Sequence, residues 1–445
     1  MSLKVIELND RAISVGDETG ILMQSPGFAL ADDKLLVLGE QAEQQARLQP
    51  TKSYNKYWHD LNLDPLDHGN NFRHYADIAF AHLQHLAEEA ELSSDVILSV
   101  PGNFTRQQLS ILLGLTQHSP FNVVGVVDSA LAATIASSQA QNILYADLQL
   151  HQVVLTSLKV ANGHVQTGST VQIPGVGKEN FMDLMMQLAT TMFIQQCRFN
   201  PQHDAQSEQQ LYNELPNWIA QSADGNLILE LKAGDNVHVA KMPFESLVSS
   251  LGGHFAKVNE QVAAMATERD TQVFVNSALA ALPGFKSNFS GGGEVVVVDP
   301  RVINDNCLSY RDLITGNEQG IQLVKSLPRS GEVATPSASD PTGEIPTHVL
   351  VGHKALKVNA LRIENHQVLN GSAEMPGTLA LSIAGLPEFV GAIESRSDGV
   401  YLDTGDVAFL VNGQSSQGEQ KLHCGDKVQF AGSDEVLTLI QVRDE

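Results

Sequence analysis

Histidine and carboxylate side chains recur at helical spacing near residue 85, and together they could hold a metal ion. His82 and His85 lie three residues apart, and Glu88 and Glu89 follow one turn later. Two imidazoles on one face of a helix chelate zinc when a third ligand comes from another segment. The chain has 15 histidines, so a chance pair is the alternative explanation, and it is the one we favour.

Three other groups of residues suggest chemistry and are better explained by structure. Four methionines between Met182 and Met192 form either an adaptable binding surface or helix packing, and we favour packing. The 3 cysteines are far apart and odd in number, which argues against a disulfide framework or a zinc cluster. The run Gly291-Gly292-Gly293 leads into a strand, Glu294 to Val298, whereas a phosphate cradle usually leads into a helix. We interpret this run as a flexible turn.

Charge and length exclude several functional classes. The 445 residues include 27 Lys+Arg and 51 Asp+Glu, which gives a net charge of −24. Such a chain repels phosphate backbones and anionic lipid, so we expect neither nucleic acid nor membrane insertion. The N-terminus has no basic segment followed by an apolar stretch, and no apolar run is long enough to span a bilayer. We therefore expect a cytoplasmic protein with other proteins as its partners.

The order of elements indicates an α/β fold. Short apolar runs broken by turn pairs predict a β-meander from Leu3 to Met23, and a second meander from Asn142 to Ile173 turns at Asn162-Gly163. Between them strands alternate with helices, which predicts a sheet covered by helices. Tyr57 and Trp58 are predicted to anchor an irregular loop. Residues 177–266 are predicted to be mostly helical, apart from a hairpin between Leu227 and Ala240, and Thr271 to Val275 is a further buried strand.

Composition changes near the C-terminal quarter. Residues 315–346 are rich in Ser, Pro, Thr, Gly and Glu, which predicts a flexible linker. Residues 347–445 show short alternating strands separated by turns, which predicts a separate all-β sandwich.

An ordered set of segments over about residues 3–314 resembles the ATPase of the seventy-kilodalton heat-shock chaperones. The segments that carry this resemblance are Val96 to Phe104, Asn122 to Ala133, Gly175 to Phe181, Leu227 to Leu247 and Thr271 to Pro283. That family has the actin-like ATPase fold, in which two lobes of β-meander and helices flank a nucleotide cleft. The resemblance implies lobe I over residues 1–141 and lobe II over 142–314, with a helical and hairpin subdomain at about 177–266.

The resemblance also implies ATP or ADP with magnesium as the cofactor, held at three turns. If binding is retained, the nucleotide-binding residues are expected to be Glu7, Asn9, Asp10, Asp147, Asn276 and Ser277. The turns nevertheless lack the glycines that let backbone N–H groups close round phosphates. The first has Asn9-Asp10, and the second has Gln149-Leu150-His151, where the family has Gly-Thr and Gly-Gly-Gly. No catalytic residue and no metal ligand is assigned.

Residues beyond the linker are similar, more weakly, to a forkhead-associated domain. The similarity rests on Val400 to Asp406, Ala408 to Gly413 and Leu422 to Gly432. Pro387 stands where the family has its phosphothreonine-binding Ser, and Val390 stands where it has the His that holds the loop in place. Asn370-Gly371-Ser372 lacks the expected Arg. This favours a β-sandwich used for packing or protein contact.

These observations predict a chaperone-like pseudo-ATPase that acts as a protein-binding scaffold with a degraded nucleotide cleft. The alternative is a divergent ATP-binding chaperone that still binds or slowly hydrolyses ATP. A filament former of the actin-like class is a third possibility.

Overall fold

The chain is a mixed α/β protein that folds into two compact units, Met1–Val333 and Ala334–Glu445. The computed structural model describes residues 3–31, 36–66, 72–221, 225–266, 270–291, 295–315, 320–329, 346–351, 354–358, 361–365, 378–381, 387, 389–396, 399–411, 414–430 and 436–441.

The first half of unit 1 follows the predicted order of meander, strand, helix, strand, helix. Its elements are β1 (Lys4–Glu7), β2 (Ile13–Asp17), β3 (Gly20–Ser25), β4 (Ala29–Ala31), β5 (Leu36–Leu38), α1 (Glu40–Glu43), β6 (Ser53–Tyr54), α2 (Tyr75–Glu89), β7 (Asp95–Val100), α3 (Arg106–Thr116), β8 (Asn122–Asp128) and α4 (Ser129–Thr134). A 3-10 turn, Pro50–Lys52, precedes β6. Thr105 caps α3 by accepting a hydrogen bond from the Gln108 N–H, and Asp128 caps α4 in the same way.

The second half begins with the second meander and continues through the hairpin and its flanking helices. Its elements are β9 (Asn142–Leu148), β10 (Gln152–Ala161), β11 (His164–Pro174), α5 (Lys178–Cys197), α6 (Ala205–Gln221), β12 (Asn226–Ala233), β13 (Asn236–Pro243), α7 (Phe244–Met265), β14 (Thr271–Asn276), α8 (Ser277–Ala280), α9 (Phe285–Asn288), β15 (Val295–Val298), α10 (Val302–Ser309), α11 (Arg311–Thr315), β16 (Leu323–Val324) and β17 (Ser326–Pro328). A 3-10 turn, Pro201–His203, lies between α5 and α6.

The two six-stranded sheets share one topology over five of their strands, and the sixth strand joins opposite edges of the two sheets. The first has the order β16-β8-β7-β1-β2-β3, and the second has the order β15-β14-β9-β10-β11-β17. In the first sheet, β1 of the antiparallel meander pairs in parallel with β7, and β7 pairs in parallel with β8. In the second sheet, β9 of the antiparallel meander pairs in parallel with β14, and β14 pairs in parallel with β15. The carboxyl ends of the parallel strands therefore lie at one edge of each sheet, where α/β proteins place their functional residues.

The two halves share a buried core. Helix α4 is buried at all six positions, and its small side chains pack between residues of both sheets, including Val5, Ile97, Ile143 and Tyr145. The predicted loop anchors are also confirmed, because Tyr57 and Trp58 are 0% and 3% exposed. The halves are thus one packed body rather than two independent domains.

The predicted linker is wrong over residues 323–328. β16 pairs in parallel with β8 of the first sheet, and β17 pairs antiparallel with β11 of the second. Composition could not reveal strands of two and three residues, because their stability comes from pairing with distant strands. The boundary between the units lies later, at Val333 and Ala334, and residues 330–345 of the predicted linker lie outside the described residues.

All described elements of unit 2 are strands. They are β18 (His348–Val351), β19 (Lys354–Lys357), β20 (Leu361–Asn365), β21 (Thr378–Leu381), β22 (Phe389–Arg396), β23 (Gly399–Val411), β24 (Gln414–Leu422), β25 (Lys427–Phe430) and β26 (Val436–Ile440). Successive hydrogen-bonded pairs join these nine strands into one network. Val390 is 1% exposed within its apolar core, so this position packs rather than faces a ligand. Asn370-Gly371-Ser372 lies outside the described residues.

Candidate functional site

The turns that follow β1 and β9 meet each other directly. Asn9 Nδ2 donates to Asp147 Oδ1 at 2.9 Å and to the Leu148 carbonyl at 3.1 Å. In the opposite direction, the Leu150 N–H donates to Asp10 Oδ1 at 2.8 Å. The turns at the ends of β1 and β9 are therefore joined by hydrogen bonds between the two halves of unit 1.

The end of β14 completes this site. Asn276 Nδ2 donates to the same Asp147 Oδ1 at 2.7 Å, while Asn276 Oδ1 accepts from the Leu279 N–H and caps α8. Ser277 follows and lines a small cavity together with Glu7 and Asn276. The six residues selected from the sequence thus converge on one place in the fold.

This site concentrates carboxyl groups. Burial, and secondly the nearby Glu7 carboxylate, raise the pKa of Asp147 to about 8 against the opposing charge of Arg11. Burial also raises the pKa of Glu7 and of Asp10. The Ser14 hydroxyl donates to Glu7 Oε2 at 3.1 Å, whereas Arg11 Nε is buried without a hydrogen-bond partner among the described residues. A surplus of carboxyl groups makes the site a poor host for phosphate oxygens.

The turn after β9 fills the space beneath α5. Leu150 is 0% exposed and belongs to a small apolar cluster with Phe28, Leu30 and Ala42. Gly177 packs so closely on this turn that an added Cβ would lie 2.4 Å from the Leu150 carbonyl oxygen. The packing therefore requires a glycine at this helix start.

The N-terminus of α5 is occupied by the chain itself. The Lys178 N–H donates to the Gln149 carbonyl at 2.9 Å, and the Glu179 N–H donates to the Leu150 carbonyl at 3.0 Å. Free N–H groups at a helix start are the usual donors to phosphate. Here two of those donors are already satisfied.

Little volume is left at the site. The cavity beside Glu7, Arg11 and Asn276 has about 30 Å³, and the one beside Asp10 and Gln149 has about 10 Å³. Pockets that hold small molecules usually have about 300–1,000 Å³. A nucleotide does not fit in this conformation.

A second set of contacts joins the two halves of unit 1, and the sequence did not predict these contacts. Arg47 Nη2 lies 2.7 Å from Asp183 and 3.5 Å from Glu179, and the guanidinium lies 5.1 Å from the centre of the Tyr212 ring. Lys178 pairs with Glu43. These contacts join the segment around α1 to α5 and α6. Separations of more than 130 residues along the chain hide such pairs from sequence patterns.

The other candidate groups have structural roles. His82 is 0% exposed, and both of its ring nitrogens are hydrogen-bonded to Ser25, Tyr57 and Trp58, so it is not a metal ligand. Met182, Met185 and Met186 are buried in the core of the second lobe, which confirms packing as their role. Within the described part of the chain, no group of three or more His, Cys, Asp or Glu side chains is arranged to hold a metal ion.

Comparison with known proteins assigns no family. No protein-family model matches the chain, and no curated protein matches it. Within the described ranges, none of the helices combines the length and the apolar character needed to cross a bilayer.

Truncating Leu150 tests the packing between the two halves of unit 1. We expect Leu150→Ala to lower the free energy of unfolding by about 3 kcal/mol, because it leaves a cavity in a fully buried cluster. Urea unfolding followed by circular dichroism measures this change. Leu63→Ala is the control, since Leu63 is 57% exposed and its truncation should change stability by less than about 0.5 kcal/mol. Equal effects of the two substitutions would contradict the buried role of Leu150.

Proposed function

We propose that this protein is a chaperone-like pseudo-ATPase with an actin-like fold and that it acts as a protein-binding scaffold. The repeated topology of its two sheets supports the actin-like assignment, since the fold is built from two such halves around a cleft. The observation that carries the proposal is the closed site. Leu150 and the capped α5 N-terminus occupy the place where the resemblance puts phosphates.

Unit 2 is proposed to serve protein contact as a forkhead-associated-like sandwich. Its described elements are all strands, which fits this assignment. The buried Val390 stands where the resemblance puts the His that holds the binding loop in place, so we do not propose phosphopeptide binding.

Calorimetric titration of the full chain with ATP and ADP, with and without magnesium, tests the closed cleft. We expect no saturable heat up to about 1 mM nucleotide, because the cavities at the site are too small. Binding in the micromolar range would contradict the proposal and favour the divergent ATP-binding chaperone. Magnesium-dependent turnover that is lost in Asp147→Ala would support that alternative further.

A further inference from the structure

The hydroxyl group of Tyr212 lies between two carboxyl groups that come from different halves of unit 1. Tyr212 Oη is 2.8 Å from Glu43 Oε1 and 2.7 Å from Glu179 Oε1. Glu43 ends α1 in the first half, whereas Glu179 and Tyr212 belong to α5 and α6 in the second. Tyr212 is 4% exposed and Glu179 is 9% exposed. These three side chains join the halves, and we call them the Tyr212 latch.

The latch lacks a hydrogen atom if both carboxyl groups are ionised. A phenol carries one hydrogen, and an ionised carboxylate can only accept. Burial, followed by the charges of Glu179 and Glu43, raises the pKa of Tyr212 well above its ordinary value, so the phenol keeps its hydrogen. Two contacts of hydrogen-bond length at one hydroxyl, both to carboxyl oxygens, therefore require a second proton on one of the carboxyl groups.

The neighbouring cations place that proton on Glu179. The Lys178 ammonium group contacts Glu43 Oε1 directly, which keeps Glu43 ionised. The cation beside Glu179 Oε2 is Arg47, at 3.5 Å, and the same guanidinium nitrogen lies closer to Asp183, at 2.7 Å. Glu179 thus has the weaker cationic partner of the two carboxyl groups.

Burial also favours a protonated Glu179. It raises the pKa of Glu179 against the hydrogen bond with Tyr212 and the charges of Arg47 and Lys178. The positive end of α5 favours the ionised form as well, but carboxylates oppose it, among them Glu208 at 3.5 Å from Arg47. With Glu179 ionised, the cluster would hold four carboxylates and two cations: Glu43, Glu179, Asp183 and Glu208 with Arg47 and Lys178.

We propose that a proton on Glu179 holds the two halves of unit 1 together and that the loss of this proton opens them. In the closed state, Glu179 donates to Tyr212 Oη, and Tyr212 donates to Glu43. When the proton leaves to water, two carboxylates face one hydroxyl group, and their repulsion separates α1 from α6. The latch is a pH-sensitive switch, and it goes beyond the proposed scaffold function because it needs neither a nucleotide nor a partner protein.

Opening is expected to become easier as the pH rises. An exposed Glu179 has the ordinary pKa of 4.5, and the closed state raises this value. The stability that the latch contributes is therefore complete below pH 4.5 and is lost as the pH rises through the raised pKa. The opening equilibrium constant increases by about tenfold per pH unit between the two pKa values and then levels off.

Hydrogen exchange of the full chain, followed by mass spectrometry, measures the opening. The Arg47 N–H donates to Gln209 Oε1 between the two halves at 2.6 Å, so peptides covering residues 40–52 report on the latch. After correction for the intrinsic exchange rate, their protection should fall with pH more steeply in the wild type than in Glu179→Gln, by about tenfold per pH unit between the two pKa values. The glutamine amide group donates to Tyr212 without titrating.

A matched variant separates the latch from the charge around Arg47. Glu208→Gln also removes a carboxylate that lies 3.5 Å from Arg47, whereas the Tyr212 hydroxyl contacts Glu43 and Glu179. The protection of residues 40–52 in Glu208→Gln should therefore keep the wild-type dependence on pH. Circular dichroism of each variant checks the fold.

Infrared spectroscopy detects the proton itself. The difference spectrum between the wild type and Glu179→Gln should contain the C=O stretch of a protonated carboxyl group, and this band should disappear as the pH rises. Tyr212→Phe, compared with the same variant carrying Glu179→Gln, should lower the pH midpoint of the disappearance, because it removes the oxygen that accepts from the neutral form. If Tyr212 donated to an ionised Glu179, Tyr212→Phe would raise that midpoint.

Three results would overturn the inference. One is an equal dependence of protection on pH in the wild type and in Glu179→Gln. Another is the absence of the protonated carboxyl band at every pH at which the protein is folded. The third is a higher midpoint in Tyr212→Phe. None of these measurements involves nucleotide, so the latch and the closed cleft can fail separately.

Discussion

Replacing Asp147 by asparagine is expected to stabilise the protein by about 4 kcal/mol at pH 7. The folded-state pKa of Asp147 is raised to about 8 from 3.8, mainly because the side chain is buried and secondly because Glu7 is close. A group with a raised pKa contributes stability below its unfolded pKa and loses it as the pH rises through the folded value. The free energy of unfolding of the wild type therefore falls by about 1.4 kcal/mol per pH unit between pH 4 and 8. The asparagine variant has no carboxyl group at this position and does not lose this stability.

Asparagine should preserve the hydrogen bonds at the site. Its Oδ1 can accept from Asn9 and Asn276 as the carboxyl does, at distances of 2.9 and 2.7 Å in the wild type. Urea unfolding at pH 4, 7 and 9 measures the effect, and the two proteins should differ little at pH 4. Asp312→Asn is the control, because its side chain is 97% exposed. Parallel pH profiles for wild type and Asp147→Asn would show that Asp147 ionises normally in the fold.

Protonation of Asp147 also bears on the proposed pseudo-ATPase, in which the cleft is closed without a ligand. Carboxylates that surround a phosphate site are normally balanced by magnesium, which takes oxygen ligands. In the proposed scaffold, a proton on Asp147 and amide hydrogen bonds from Asn9 and Asn276 take over that balance. The same substitutions that remove glycine from the turns thus supply the groups that bond the lobes together.

Local sequence patterns predicted most of the strands because hydrophobic runs and turn pairs act over a few residues. Asp95–Val100 and Asn142–Leu148 have the predicted ends, and the hairpin turns at Asn162-Gly163. The short strand β16 was missed because its formation depends on β8, nearly two hundred residues away. The contacts of Arg47 with α5 were missed for the same reason. The candidate residues could be selected from the resemblance, whereas their mutual bonding required the folded chain.

His82 illustrates how a residue pattern alone leaves the chemistry open. Trp58 Nε1 can only donate, and it lies 3.1 Å from His82 Nδ1, so Nδ1 carries no proton. The Tyr57 hydroxyl lies 2.7 Å from the same nitrogen and donates to it. His82 Nε2 therefore carries the proton and donates to Ser25 Oγ at 2.8 Å. A second proton on this ring would face two donors, and burial lowers the pKa of His82 to about 3.

Acidification is therefore expected to destabilise the protein through His82 by about 5 kcal/mol in total. Its folded pKa of about 3 lies below the reference value of 6.5, so the unfolded chain binds a proton more readily. The stability contributed by neutral His82 is fully present above pH 6.5 and falls by about 1.4 kcal/mol per unit as the pH drops towards 3. His82→Gln removes this titration. Urea unfolding between pH 4.5 and 6.5 should give a shallower slope for the variant by that amount per unit.

The slope of the free energy of unfolding against pH distinguishes the titration of His82 from its role in packing. His82→Gln should also lower stability at pH 7, because the bonds with Ser25, Tyr57 and Trp58 are disturbed. That loss is independent of pH and shifts the whole profile without changing its slope. His164→Gln, at an exposed position of the hairpin turn, should leave both the level and the slope unchanged. If His82→Gln shifts the profile but keeps the wild-type slope, acid sensitivity originates in other groups and His82 is only a packing residue.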